Sequence, residues 1–393
     1  MNPAGQRRVC VVTGSRADYG LLYWVMRAVA AEAEFVLQVA VTGMHLAPEF
    51  GSTWRLIEGD GFAIDEKVET LMSSDTAVGV AKSVGLGVIG FAEAWSRLAP
   101  DLVLVLGDRY EIFAAVQAAA LANIPVAHLA GGDATEGAVD DVLRHGITKM
   151  AHLHFTTNEL ARRRVVQMGE TPERVFNVGS TGLDYVARAR LIERATLESS
   201  LGLAFAERNF LVTFHPETLA GEGAAEQQVR ELLGALDRFA DGHTRFIVTR
   251  PNSDAGGRAI ASLLDGWAAG RTDVNVFASL GQLRYLSVMA IVDVVIGNSS
   301  SGLYEVPSFR KPTVDIGERQ RGRLRASSVV HCGAVASEIA AAVDQALGLD
   351  CRDVVNPYGD GNSSGRIIAE LKRCGDFHRL VKKRFHDAPT ELA

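Results

Sequence analysis

The strongest constraint on this chain is a rhythm. Short β-branched apolar runs recur, each closed by Gly or a Ser/Asp/Asn turn and followed by a longer stretch with apolar residues at helical spacing. That alternation spells βαβ units and a parallel sheet. In the first half, strands are expected at 8–13, 35–41, 102–106, 125–129, 154–156 and 175–178, with helices between them. The segment 185–208 is charged, helical and poor in β-branched residues, and reads as a linker. The rhythm then restarts with strands at 210–214, 244–249, 274–277, 292–296 and 312–316, a second doubly wound sheet. The stretch 363–385 reads as an amphipathic helix that crosses back to the first domain.

The fold class is therefore α/β, with two doubly wound, Rossmann-like domains facing across a cleft. They span 1–184 and 209–365, joined by a linker helix at 185–208 and followed by a C-terminal helix at 366–393. Size agrees, because 393 residues exceed the roughly 250 to 300 at which one core stops growing. Such sheets bind ligands beyond the carboxyl ends of their strands, so functional residues belong on the loops after strands.

Forty basic against 47 acidic side chains give a net charge of -7, which argues against a protein that coats polyanions. With 47% apolar and 22% charged residues, disorder of the whole chain is excluded. Cys10, Cys332, Cys351 and Cys374 lie far apart, in neither a metal-knuckle nor a disulfide pattern, and point to a reduced compartment. The first residues do not read as a signal peptide, and no run approaches the ~18 uninterrupted apolar residues of a membrane span. A soluble cytoplasmic protein without nucleic-acid or membrane partners is expected.

The first strand delivers Thr13-Gly14-Ser15-Arg16-Ala17-Asp18-Tyr19-Gly20 to a helix start. Small residues there let backbone amides approach an anion, and Arg16 adds a two-pronged donor. This turn is not the dinucleotide fingerprint, which argues against NAD; an ordinary strand-to-helix turn is the plain alternative. In the second half, Gly297-Asn298-Ser299-Ser300-Ser301-Gly302 ends a strand ahead of Leu303-Tyr304-Glu305. Three serines between two glycines exceed what one helix cap needs, so anion binding is favoured, with Glu305 placed to accept from ribose hydroxyls. Phe214-His215-Pro216 likewise presents an imidazole at a strand end.

The densest polar cluster sits on successive strand ends of the first domain: Gly107-Asp108-Arg109-Tyr110-Glu111, then His128 to Asp133 and Glu136, then Asp140, Asp141, Arg144 and His145. Carboxylates gathered in a partly dry cleft can be driven to different pKa values, supplying an acid and a base. Asp141 and Glu111 read as structural, one on a solvated helix face and the other a cap, while His152 and His154 read as packing. Without Cys or His at ligand spacing, no metal is implied.

These motifs resemble the hydrolysing UDP-N-acetylglucosamine 2-epimerases of sialic- and legionaminic-acid pathways, from Arg8 to about Arg366. The resemblance rests on Ser15-Arg16-Ala17-Asp18-Tyr19, Gly107-Asp108-Arg109, Thr135-Glu136-Gly137-Ala138 with Asp140-Asp141, and Arg144-His145-Gly146-Ile147-Thr148-Lys149. His215-Pro216, the Gly297 to Gly302 run and Tyr358-Gly359-Asp360-Gly361 complete it. It implies the glycosyltransferase-B fold, with UDP held mostly by the second domain, no cofactor, and a homodimer or homotetramer. The implied reaction eliminates UDP across C1 and C2 to a 2-acetamidoglycal, then hydrates it to free N-acetylmannosamine.

By that resemblance the catalytic set is Asp108, Asp140, Glu136 and His215. The UDP- and substrate-binding set is Arg16, Asp18, Arg109, Asp133, Arg144, His145, Asn252, Ser299, Ser300, Ser301, Gly302, Glu305 and Arg323. Arg319 and Gln320 match a family segment as well. One departure stands out: many relatives carry Glu where this chain has Ala130. Ala cannot move a proton, so either Asp133 or Glu136 takes over, or the substrate is UDP-2,4-diacetamido-2,4,6-trideoxyglucose. The rival readings are a non-hydrolysing epimerase, a glycosyltransferase of the same fold, and a UDP-sugar sensor.

Overall fold

The computed structural model describes residues 5–72, 76–134, 139–216, 224–251 and 257–387. It divides into two compact units, Met1–Ala187 with Tyr358–Ala393, and Arg188–Pro357.

The first unit is a seven-stranded, all-parallel sheet of β1 (Arg7–Thr13), β2 (Phe35–Thr42), β3 (Glu66–Val68), β4 (Leu102–Leu106), β5 (Val126–Leu129), β6 (Leu153–Thr156) and β7 (Val175–Asn177). Its spatial order is β3-β2-β1-β4-β5-β6-β7. Strand β4, Leu-Val-Leu-Val-Leu, is buried on both faces, which is why it reads as an unbroken apolar run. On one face, Leu22, Val25, Met26 and Val29 of the helix Arg16–Ala31 pack with Ile367 and Leu371 of the helix Ser363–Arg373. On the other face lie Phe91, Trp95, Ala115 and Ile147.

The second unit repeats the plan with β8 (Arg208–Thr213), β9 (Thr244–Thr249), β10 (Val274–Phe277), β11 (Val294–Gly297), β12 (Thr313–Ile316) and β13 (Val329–Cys332), in the order β10-β9-β8-β11-β12-β13. Phe210, Leu232, Leu236, Phe246, Ile339 and Val343 belong to its core.

Four differences from the sequence reading have physical reasons. Strands β3 and β13 carry the polar or half-exposed residues of sheet edges and give no apolar run. The segment 185–208 is no single helix: Gly182–Arg188 stops, and a separate helix, Arg194–Leu201, buries Leu197 and Leu201. The last helix ends at Arg373, then a 3-10 turn, Phe377–Val381, inserts Phe377 and Leu380 into the first unit's core. Finally, the helix Ala77–Leu98 has the length and mean hydropathy, 1.4, to cross a membrane, although Lys82 interrupts its apolar run. It packs its Phe91, Ala94 and Trp95 into the core, and Trp95 Nε1 donates to the Ala115 carbonyl at 3.2 Å. This helix also contains a G-x-G-x-x-G string, Gly85 to Gly90, but inside a helix rather than after a strand, so it forms no phosphate loop.

Candidate functional site

In each sheet the strand order reverses beside the first strand of the unit, between β1 and β4 and between β8 and β11. Ligands of doubly wound sheets bind beyond the carboxyl ends at such points. The turns after these four strands hold most of the residues singled out above.

In the first unit, Asp108 follows β4 and forms an ion pair with Arg144 Nη2 from the helix Val139–Met150. Arg144 is buried; its Nη1 donates to the Asp133 carbonyl at 2.8 Å and lies 3.8 Å from Asp141 Oδ1. One turn before Arg144 on the same helix, Asp140 is exposed. His145 Nε2 stands 3.3 Å from Asp141 Oδ2, so Asp141 is held between two bases rather than free on a solvated face. Asp133 Oδ1 accepts from Thr157 Oγ1 at 2.7 Å and from Asn158 Nδ2 at 3.4 Å. Glu136 and Asn252 lie outside the described residues. His128 is wholly buried between the Gly107 carbonyl, at 2.7 Å, and Thr148 Oγ1, at 3.1 Å; burial pushes its pKa down to about 3, so it is a neutral packing residue.

At the end of β1, Ser15 caps the helix Arg16–Ala31 by accepting from the Asp18 amide at 3.3 Å, and Arg16 is exposed. Asp18 is buried, and that burial pushes its carboxyl up to about 6 although Arg109, 3.8 Å away, opposes the rise. The reading of Glu111 as a cap is overturned. Its side chain has no exposure and forms a 2.5 Å ion pair with Arg109 Nε. The space left open by Gly14 is filled by this carboxylate: a Cβ there would come 2.5 Å from Glu111 Oε1.

The second unit builds its turn around Asn298, which is fully buried after β11. Its Oδ1 accepts from the His215 amide at 2.7 Å and its Nδ2 donates to the His215 carbonyl at 2.8 Å, so the ends of β8 and β11 are clamped together. Close approach is possible because residue 297 is Gly, with φ +138; a side chain there would run into the Thr213 carbonyl. The Asn298 carbonyl accepts from Gln320 Nε2 at 2.8 Å and from Arg319 Nη1 at 3.1 Å, and Gln320 Oε1 receives Arg323 Nη1 at 2.7 Å.

The serines form their own network. Ser301 Oγ lies 2.7 Å from the Tyr285 hydroxyl and 3.2 Å from Ser299 Oγ, while Ser300, at the N-cap position, makes no side-chain cap bond. The helix that Ser301 opens is a single turn, Ser301–Tyr304, so its dipole is small; the amides of Ser301 to Tyr304 already pair within the turn, and the hydroxyls are what it offers an anion. Glu305 follows. Burial pushes its pKa up to about 7 against the pull of its own backbone amide and of Arg323, and its Oε2 has no hydrogen-bond partner among the described residues. The sequence reading missed Tyr285, on the helix Gln282–Ile291, because only the fold brings it to Ser301. Among the described residues no three His, Cys, Asp or Glu side chains gather to hold a metal ion.

The model of the family described as UDP-N-acetylglucosamine 2-epimerase matches residues 27–372. The GDP/UDP-N,N'-diacetylbacillosamine 2-epimerase (hydrolyzing) of Campylobacter jejuni is 36% identical over 83% of this chain and 84% of its own. The UDP-N,N'-diacetylbacillosamine 2-epimerase (hydrolyzing) of Legionella pneumophila is 34% identical over 96% of this chain and 98% of its own. Among solved structures, the UDP-GlcNAc 2-epimerase of Neisseria meningitidis bound to UDP-GlcNAc superposes with a TM-score of 0.74 at 19% identity, covering 93% of this chain and 100% of that one. That structural likeness extends to the two Rossmann-like domains of the glycosyltransferase-B class.

Proposed function

Because this chain belongs to the UDP-N-acetylglucosamine 2-epimerase family, we propose that it is a hydrolysing 2-epimerase of a UDP-linked 2-acetamido sugar. UDP-N,N'-diacetylbacillosamine is placed first as substrate, on the 36% and 34% identity to relatives named for it. UDP-N-acetylglucosamine is second, on the 29% identity, over 97% of this chain, to the Neisseria meningitidis enzyme named for that sugar.

The observation that carries the reading is the Asp108–Arg144 pair at the end of β4, with exposed Asp140 one turn from Arg144. The C2 hydrogen of such a sugar is not beside a carbonyl and is barely acidic, so C1–O cleavage must lead. Positive charge growing at C1 then acidifies C2, and a carboxylate takes the proton as UDP departs. The products of this step are UDP and a 2-acetamidoglycal. Water adds at C1 while C2 receives a proton on the opposite face, giving the free 2-epimeric sugar.

Two differently placed groups are needed, and Asp108 and Asp140 are assigned to them. Arg144 holds Asp108 in place. With Ala130 where relatives carry Glu, and Asp133 Oδ1 engaged by Thr157 and Asn158, Glu136 is the reserve. In the second unit, Ser299, Ser300 and Ser301 hold the diphosphate with His215 beside them, and Glu305 takes the ribose hydroxyls. Stabilising the departing diphosphate is the principal electrostatic task.

Incubation with each UDP sugar in D2O, followed by NMR, tests the proposal. Free 2-epimer deuterated at C2, together with UDP, is the expected result. A deuterated sugar still linked to UDP would make the enzyme non-hydrolysing, and tight binding without label would make it a sensor.

A further inference from the structure

Three turns meet at the reversal point of the first sheet: Gly14 to Asp18 after β1, Gly43 to His45 after β2, and Arg109 to Glu111 after β4. Into their centre points the Glu111 carboxylate, which has no exposure at all. Two glycines make its seat. A Cβ at Gly14 would come 2.5 Å from Glu111 Oε1 and 2.7 Å from its Cγ, and one at Gly43 would come 3.0 Å from Oε1. Oε1 pairs with Arg109 Nε, whereas Oε2 has no hydrogen-bond partner among the described residues. A half-satisfied buried carboxylate is destabilising relative to an apolar side chain, so stability does not account for it.

Exposure separates the trio. The side chains of Arg109 and Asp18 are 31% and 12% exposed, and Glu111 is 0% exposed, so only the first two can reach a ligand. We propose that Glu111 is a positioning residue for the reaction read above: from its two-glycine seat it holds the Arg109 guanidinium beside Asp18, and Arg109 and Asp18 are the members that meet the substrate. The inference rests on that functional reading for its purpose, but its geometry is testable without turnover.

The charge balance gives the readout. Burial raises the Asp18 pKa to about 6, Arg109 opposes the rise, and the negative charge of Glu111 adds to it. Two further titratable groups face the trio. Burial lowers His45 to about 4, leaving it neutral, and raises Tyr110, leaving it protonated. Replacing Glu111 by a neutral isostere removes one repulsion but releases the guanidinium that it holds, and because Arg109 weighs more on Asp18 than Glu111 does, the Asp18 midpoint should rise.

The test is an NMR titration of protein labelled with 13C at the aspartate carboxyls, with Asp18 assigned through Asp18→Asn, in wild type, Glu111→Gln and Glu111→Asp. The Asp18 midpoint is expected to rise by about half a pH unit or more in Glu111→Gln, and by less in Glu111→Asp, which keeps a carboxylate to hold Arg109. The acid limb of kcat/KM should move with it, and kcat/KM itself should fall at least about ten-fold. A folded Glu111→Gln whose Asp18 midpoint falls or stays in place overturns the inference. Should that variant fail to fold, Glu111→Asp decides: with the carboxylate one methylene shorter, an Asp18 midpoint and a kcat/KM both at wild-type values overturn the inference. If the wild type releases no UDP from either sugar, the functional reading fails, and the titration still decides whether Glu111 governs Asp18.

Discussion

Asn298 grips His215 by its backbone, accepting from its amide at 2.7 Å and donating to its carbonyl at 2.8 Å, so the imidazole at the end of β8 is placed by a side chain from the end of β11. Asn298→Ala leaves both backbone groups without these partners. A stability loss of about 1–3 kcal/mol is expected, seen as a lower Tm, together with weaker UDP binding by calorimetry. A lower Tm with unchanged UDP affinity would make the clamp purely structural.

Asp108 is held by Arg144 and carries the proton transfer proposed above. Asp108→Asn keeps shape and removes the base. Turnover should fall by roughly two to four orders of magnitude, while UDP affinity stays within about a factor of two of wild type. Turnover at a comparable rate would remove Asp108 from the mechanism.

The sheets were legible in the sequence because parallel strands buried on both faces, such as Leu102–Leu106, are continuous apolar runs between turn residues. The edge strands Glu66–Val68 and Val329–Cys332 were not, since half-exposed edges carry no such signal. Glu111 was misread through its type: a carboxylate in the first turn of a helix suits the dipole. Its spacing held the better clue. Glu111, Ala114, Ala115 and Ala118 fall at i, i+3, i+4 and i+7, one inward stripe, and all four are buried. Tyr285 had no such clue, because its meeting with Ser301 depends on how the helix Gln282–Ile291 packs near the end of β11.

Glu305 gives UDP binding a proton signature. Burial holds its carboxyl at about 7, so near pH 6 it is largely protonated in the free protein. Ribose hydroxyls donating to it favour the carboxylate and lower its pKa, so UDP binding should release a proton. Calorimetry at pH 6 in buffers of different ionisation enthalpy measures that release, which Glu305→Gln should abolish. Equal proton release in the variant would place the ribose elsewhere.

Glu170 ties Lys383 to the first sheet. Its Oε1 lies 2.5 Å from Lys149 Nζ, and its Oε2 lies 3.0 Å from His154 Nε2 and 2.7 Å from Lys383 Nζ. Burial alone would raise its pKa, but the hydrogen bond from His154 and the two ammonium groups override it and hold the group near 2, against an ordinary 4.5. A depressed carboxylate contributes stability above its unfolded pKa and loses it as pH falls through the folded one. The window is therefore about pH 4.5 down to 2, and the gap between those values is worth roughly 3 kcal/mol at neutral pH. Glu170→Gln should lose most of that at pH 7 in urea titrations, and the difference from wild type should shrink to about half or less at pH 3. A difference that stays constant across that range would mean that Glu170 acts through packing and not through its charge.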